Sequence, residues 1–313
     1  METPKWDFCP VSSDELEVIF ADVLDRAPTA QERVFWTPWT NHAALLDNVA
    51  LFSRPWRRGW PLAVLFAGCH GVHFVSYWRT RQDIPDVNIA VVFTHKLEQA
   101  GASEFLGIPL LQAMFKQARY FAAQPSSGGV YTSDNVVKLV PGRVGYYHNP
   151  TAGCFFPVCE HAGMKPVADL LRAGFTRPQI LDAFNQGSFD PQFETRYAET
   201  MQILREKDKF CATPFADFVA RYLRKRKMFS TWTHATPVAY VRIGADLLSY
   251  LFGLRKVSDG EVLAASYPVL VEWGEWPETH YEREYYKVEY PCAPQSYDPE
   301  YYRWCILNAE VRS

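Results

Sequence analysis

Two short stretches of the chain are almost wholly apolar: LAVLFA, Leu62 to Ala67, and VNIAVVF, Val87 to Phe93. Apolar runs of this length, without alternation, predict strands buried on both faces. Between them, Val72 to about Thr80 has apolar residues at helical spacing. The three segments predict a strand–helix–strand unit of about thirty residues, the usual size of a right-handed parallel crossover. Val144 to His148 predicts a third, weaker strand. The stretch SEFLGIPLLQAMFKQARYF, Ser103 to Phe121, carries a helical period throughout and predicts one long helix. Asp14 to Leu24 predicts another, and HAALLDNVALF, His42 to Phe52, is a further candidate.

From Lys165 onward the pattern turns helical and its start signals are local. Lys165-Pro166 places proline in a first turn. Thr176-Arg177-Pro178-Gln179 is a capping box. Asp190-Pro191 opens a segment whose Phe193, Tyr197, Met201 and Leu204 share one face. Thr213-Pro214 opens another with Phe215, Phe218, Val219, Tyr222 and Leu223 on its apolar side. A last one runs from near Val238 to a stop at Gly253. The expected fold is therefore mixed α/β and predominantly helical, with a small parallel, Rossmann-like strand–helix–strand element embedded in it. No linker or repeat interrupts the chain, so 1–313 is expected to form a single integrated domain. Within it, 1–60 is a Trp-rich N-terminal extension, 61–254 the core, and 255–313 a Tyr-rich C-terminal segment.

Composition narrows the classes. Of 313 residues, 48% are hydrophobic and 15% aromatic, with a net charge of −3. That composition argues for a packed core and gives no overall attraction to nucleic acid or membrane. Seven scattered cysteines and a start without a basic and then apolar leader predict no disulfide framework. Val238 to Leu254, the most apolar long stretch, contains Arg242 and Asp246, so no membrane span is expected. Cys154, Cys159 and His161 suggest a metal site, but the cysteines are spaced too widely for a zinc knuckle and no second pair lies nearby, so no metal is expected. Gly-x-Gly-x-x-Gly and P-loop motifs are absent.

The chemistry gathers at one turn. Gly68-Cys69-His70-Gly71 lies where the first predicted strand becomes a helix. A helix start presents backbone N–H groups and the positive end of the helix dipole, which can lower a thiol pKa or stabilise an oxyanion. Glycine on both sides permits a tight turn and close approach of a ligand. His73, four residues after Cys69, is placed to share a face with it. The layout is that of a strand–nucleophile–helix hydrolase with Cys in place of Ser. The same residues can equally be a packed turn in which Cys69 is a small apolar side chain.

AVLFAGCHG, Ala63 to Gly71, resembles the entry motif of the WcbI family, a strand ending in Gly-Asn-Cys-Gln; Gly68 and Cys69 fit with the intervening Asn absent, or equally with Ala67-Gly68 shifted onto Gly-Asn, and His70 stands where the family has Gln. A second stretch, Leu204 to Pro237, is similar to the family in order. Arg205-Glu206, Asp217-Phe218, the basic–aromatic run Arg226 to Phe229, and His234 match, with Thr233 where the family has Asn. GYYHNPTAGCFFP, Gly145 to Pro157, is a third, weaker match. Together these span Ala63 to Leu254. The resemblance implies acetyl transfer from acetyl-coenzyme A to a sugar hydroxyl in capsular polysaccharide biosynthesis. It also implies a cytoplasmic place, at most peripheral to the inner membrane, and capsule enzymes as neighbours.

On that reading His234 is the general base, and Cys69 is either an acyl-accepting nucleophile or a wall of the thioester pocket. Asp217 is a candidate orienting carboxylate, as is Glu160 beside His161. Gly68, His70 and Gly71 would contact coenzyme A, Arg226 or Lys227 would hold its phosphates, and Trp232 with Thr233 would flank the adenine. Two other readings stay open. A hydrolase would use water at the same Cys/His site. A non-enzymatic carbohydrate-binding protein would use the aromatic residues near both ends as stacking faces.

Overall fold

The computed structural model describes residues 7–9, 12–36, 50–54, 56–94, 97, 108–126, 132–150, 165–190, 192–231, 234–266, 280–291 and 299–309. Among them the strands are β1 (Asp7–Cys9), β2 (Ala50–Arg54), β3 (Leu62–Ala67), β4 (Asn88–Phe93), β5 (Ala118–Ala123) and β6 (Arg143–Tyr146). The helices of the first half are α1 (Ser13–Leu24), α2 (Ala30–Trp36), α3 (Gly71–Trp78), α4 (Ile108–Gln117) and α5 (Ser133–Val137). Those of the second half are α6 (Lys165–Arg172), α7 (Arg177–Asn185), α8 (Phe193–Asp208), α9 (Ala216–Tyr222), α10 (Pro237–Phe252), α11 (Asp259–Ala264), α12 (His280–Tyr286) and α13 (Pro299–Leu307). The fold is mixed α/β with helices predominating. Two compact units divide it: 1–149 with 210–213 and 240–271, and 150–209 with 214–239 and 272–313.

The first unit holds a six-stranded sheet in the order β1-β2-β4-β3-β5-β6. Its four central and following strands are parallel, and β2 and β1 extend one edge antiparallel. The predicted crossover is present as β3–α3–β4, in the register Leu62↔Asn88 to Ala67↔Phe93. Every residue of β3 and β4 is buried, as two-faced strands require.

The expected helix from Ser103 to Phe121 is shorter than its periodicity suggests. Residues 103–107 lie outside the described set. The helix covers Ile108–Gln117, and Ala118–Ala123 pairs with β3 instead. A strand fills the free side of β3 and pairs its backbone there, which outweighs local helical period. Ala50 to Phe52, expected at the end of a helix, likewise belongs to β2, while 42–49 lie outside the described residues.

The two faces of the sheet carry different helices. Phe66, Phe121 and Ala123 point to one apolar cluster with Phe20 of α1 and Met114 of α4. Leu65, Ala67 and Val91 point the other way, against the start of α3. There α10 packs on α3. The Gly244 carbonyl accepts a hydrogen bond from Trp78 Nε1 at 3.1 Å, and a Cβ at Gly244 would lie 3.2 Å from the Tyr77 ring. Gly253 ends α10 with φ +70°, the left-handed conformation expected of a helix-stopping glycine.

The second unit is helical among its described residues. Thr176 and Gln179 form the predicted reciprocal cap, with proline in the first turn of α7. Ile180 and Phe184 pack with Tyr302 and Ile306 of α13. The helix expected after Asp190-Pro191 begins at Phe193, from a left-handed Gln192. The α9 start is held by Asp208, whose carboxylate accepts from the amides of Phe215 and Ala216 at 2.8 and 3.0 Å. No helix among the described residues is long and apolar enough to cross a membrane.

Candidate functional site

The chain leaves β3 through α3 to reach β4 on one side. It then crosses the opposite face through α4 to reach β5 on the other side. The connections therefore diverge at β3, and the C-terminal end of that strand is the topological switch point of the sheet. Open parallel sheets leave a crevice there, the usual place for a ligand. Gly68-Cys69-His70-Gly71 occupies that end.

The two glycines have separate reasons. A Cβ at Gly71 would lie 2.8 Å from Ala67 Cβ and 3.0 Å from Val91 Cγ1, so only glycine lets α3 start this close to the sheet. A Cβ at Gly68 would lie 3.3 Å from Oε1 of Gln124, the residue just past β5. The turn closes on itself. The amides of Gly71, Val72 and His73 donate to the carbonyls of Gly68, Cys69 and His70 at 3.1, 3.3 and 3.1 Å.

Cys69 is half-buried and is not part of a disulfide. Its thiol pKa lies above the ordinary value because burial disfavours the thiolate; the facing amides of Cys69 and His70 oppose this without overcoming it. The expected lowering by the helix start is thus reversed. The amides that begin α3 are already spent on the turn's own carbonyls. At neutral pH the structure presents a thiol.

Both histidines of the turn go to α10. His70 is buried, and its Nδ1 is hydrogen-bonded to Tyr240 Oη at 2.6 Å. His73 is buried and stacks flat on the Tyr240 ring, with centroids 4.3 Å apart and planes at 3°. His70 is thereby a fixed, oriented group. His73 packs on Tyr240, and the expected sharing of a helix face with Cys69 is not what holds it.

Sequence reasoning singled out none of the three other polar groups here. Tyr240 is the anchor just described. Gln124 sits beside Gly68, and its amide N–H donates to Phe66 O at 3.2 Å. Tyr147, just past β6, is fully buried; its amide donates to Ala123 O at 3.0 Å and its ring meets Phe74 edge-on at 5.0 Å. Burial and the nearby Cys69 both hold its phenol protonated. Among the described residues, the hydroxyl of Tyr147 and Oε1 of Gln124 are buried atoms with no hydrogen-bond partner. Tyr147 lies inside the Gly145–Pro157 stretch and the weak strand expected over Val144 to His148, and neither signal marked it as a functional group.

The remaining predicted residues lie in the second unit. His234 lies next to Ala235, which forms an antiparallel bridge with Phe229. Its Nδ1 is hydrogen-bonded to Thr231 Oγ1 at 2.9 Å, and burial lowers its pKa, which favours neutral imidazole. Asp217 is exposed in the first turn of α9, where a carboxylate complements the helix dipole. Arg226 is exposed and donates to the Lys225 carbonyl at 3.1 Å; Lys227 is half-buried. Trp232, Thr233, Cys154, Cys159, Glu160 and His161 lie outside the described residues. Among the described residues no three His, Cys, Asp or Glu side chains gather as a metal site would need.

No protein-family pattern and no curated protein sequence matches the chain. Among solved structures it is similar to WcbI, described as a novel polysaccharide biosynthesis enzyme and solved as native protein without a disulfide bond between coenzyme A and one of its cysteines. The identity is 13% and the TM-score 0.45, over 81% of this chain and 82% of that one. A likeness of that size carries nothing about chemistry.

Proposed function

We propose that the protein is an acyltransferase that moves acetyl from acetyl-coenzyme A to a sugar hydroxyl of a capsular polysaccharide or its precursor. The observation that carries the reading is Cys69 at the switch-point end of β3, beside glycine and with two backbone amides facing its sulfur. The similarity of the three sequence stretches to the WcbI family supplies the donor and the acceptor class. The acceptor would be met in the cytoplasm or at the inner face of the inner membrane.

In the covalent version the Cys69 sulfur attacks the thioester carbonyl and its carbonyl electron pair moves onto oxygen. Collapse expels the coenzyme A thiolate, which takes up the proton that Cys69 gave up. A sugar hydroxyl then attacks the Cys69 acyl group, losing its proton to a base while the Cys69 sulfur is released. The resemblance of Leu204 to Pro237 to the WcbI family is what assigns His234 as that base; a neutral imidazole, which its burial favours, can accept a proton. In the direct version Cys69 lines the pocket and the sugar attacks the thioester itself. A raised thiol pKa makes Cys69 a poor spontaneous nucleophile, so the covalent version needs its proton removed as the bond forms.

Calorimetry with coenzyme A and mass spectrometry after brief exposure to acetyl-coenzyme A test the reading. The tryptic peptide Gly59 to Arg79 carries Cys69 as its one cysteine. Binding with an acetylated peptide supports the covalent route; binding and turnover with an unmodified peptide support direct transfer. Release of free thiol at the same rate with and without a sugar acceptor identifies a hydrolase. Folded protein that binds no coenzyme A overturns the proposal. The carbohydrate-binding alternative loses two of its stacking candidates, because Trp36 and Trp56 are buried and Trp56 Nε1 donates to Asp22 at 2.6 Å.

A further inference from the structure

We infer that Tyr147 is the oxyanion donor for acyl chemistry at Cys69, its hydroxyl placed to hydrogen-bond the carbonyl oxygen of an acyl group bound to, or attacked by, that sulfur. The inference deepens the proposed function and rests on it for the identity of the natural acyl donor, though not for the chemistry itself.

Three observations meet here. The first is cost: a buried hydroxyl without a partner forfeits the hydrogen bond it had in water, and a folded chain rarely carries one without use. Tyr147 is 0% exposed and its hydroxyl has no partner among the described residues. The second is placement. Gly68, Gln124 and Tyr147 each stand just past the ends of adjacent strands β3, β5 and β6, at the switch-point edge of the sheet. Strand parity sends Tyr146 to the α1 and α4 face, where it packs on that cluster, and sends Tyr147 to the α3 face. There its ring abuts Phe74, in the helix that follows Cys69. The third is protonation: burial first, and then the nearby Cys69, oppose ionisation of the phenol, so the group stays an O–H donor.

The chemistry needs such a donor. When the Cys69 sulfur adds to an acyl carbonyl, the π electron pair moves to oxygen and a tetrahedral oxyanion forms. A donor fixed in a dry site stabilises that charge more than the ground-state carbonyl, which is how it accelerates the step. Tyr147 donates a hydrogen bond and keeps its proton; the leaving group departs with the bonding pair when the oxyanion collapses. The unpartnered Gln124 Oε1 beside Gly68 supplies an acceptor at the same edge. A ligand offering one carbonyl oxygen and one N–H or O–H would satisfy both atoms.

The test compares Tyr147→Phe with wild type using two reagents read at the same peptide, Gly59 to Arg79. p-Nitrophenyl acetate acylates Cys69 through an oxyanion, whereas iodoacetamide alkylates it by direct displacement without one. Tyr147→Phe removes only an unpartnered atom, so its melting temperature is expected to equal or exceed that of wild type. We expect acylation to slow by about 100- to 1000-fold and alkylation to change by less than about twofold. Equal acylation rates overturn the inference. Equal slowing of both reactions also overturns it, because Tyr147 would then act on the thiol rather than on the oxyanion. A wild-type Cys69 that p-nitrophenyl acetate does not acylate overturns it as well. Failure with acetyl-coenzyme A alone, alongside the expected p-nitrophenyl acetate result, refutes the proposed donor and leaves the Tyr147 role standing.

Discussion

Replacing Gly71 by alanine tests whether close packing of α3 on the sheet is what sets Cys69 in place. The added Cβ would stand 2.8 Å from Ala67 Cβ and 3.0 Å from Val91 Cγ1. Carbon atoms in contact prefer about 3.5–4.0 Å, so both pairs are too close by roughly 0.5–1.2 Å. Neither neighbour can turn away, since Ala67 has no rotamer and Val91 is fully buried in the central strand β4. Overpacking of this kind costs about 1–3 kcal/mol. Alanine recovers about 0.5–1 kcal/mol of helix preference over glycine. The net loss therefore ranges up to about 2.5 kcal/mol with about 1 kcal/mol at its centre, or a melting temperature lower by roughly 2–4 °C. The strain is relieved by lifting the first turn of α3, which carries Cys69 and His70 with it, so alkylation of Cys69 by iodoacetamide is expected to quicken several-fold. Gly260→Ala is the control. It lies in α11 with nothing within 4 Å of its added Cβ, and should raise stability by about 0.4–1 kcal/mol without touching Cys69 kinetics. A Gly71→Ala protein that melts with wild type and reacts at the wild-type rate would refute the reasoning.

Two further outcomes follow from the protonation states. The rate of Cys69 alkylation, plotted against pH, should inflect above the ordinary thiol value because burial raises its pKa; an inflection at or below that value contradicts the account of the turn. For His234 the folded pKa lies below the unfolded one. As pH falls through the interval between them the unfolded chain binds a proton that the folded chain does not, so stability falls on acidification and the loss is complete below the folded value. Wild type should thus lose melting temperature relative to His234→Gln between about pH 7 and pH 5, and a difference constant across that range goes against burial as the cause.

What the sequence revealed and what it hid divide along one physical line. Features settled by neighbours a few residues away were legible: the Thr176–Gln179 cap, the helix stop at Gly253, and β3 and β4, whose almost wholly apolar runs follow from burial on both faces. β5 was not, because Gln117 and Ala118 join helix to strand without a turn residue, and the helical period runs through the joint. Only the slot beside β3, created by distant parts of the chain, makes Ala118–Ala123 a strand.

The site divides the same way. Its turn was visible as Gly68 to Gly71, but the state of the Cys69 thiol depends on burial under the assembled sheet and on which carbonyls take the first amides of α3. Tyr147 shows the limit most clearly. In the sequence it is one of two adjacent tyrosines, and nothing local separates it from Tyr146. The pairing of β6 with β5 fixes the parity, which packs Tyr146 into the apolar cluster of α1 and α4 and leaves Tyr147 on the side of Cys69. A one-residue slip in that register would exchange the two. The donor role of Tyr147 is therefore a consequence of strand register, and moving the register should cost the chemistry as surely as removing the hydroxyl.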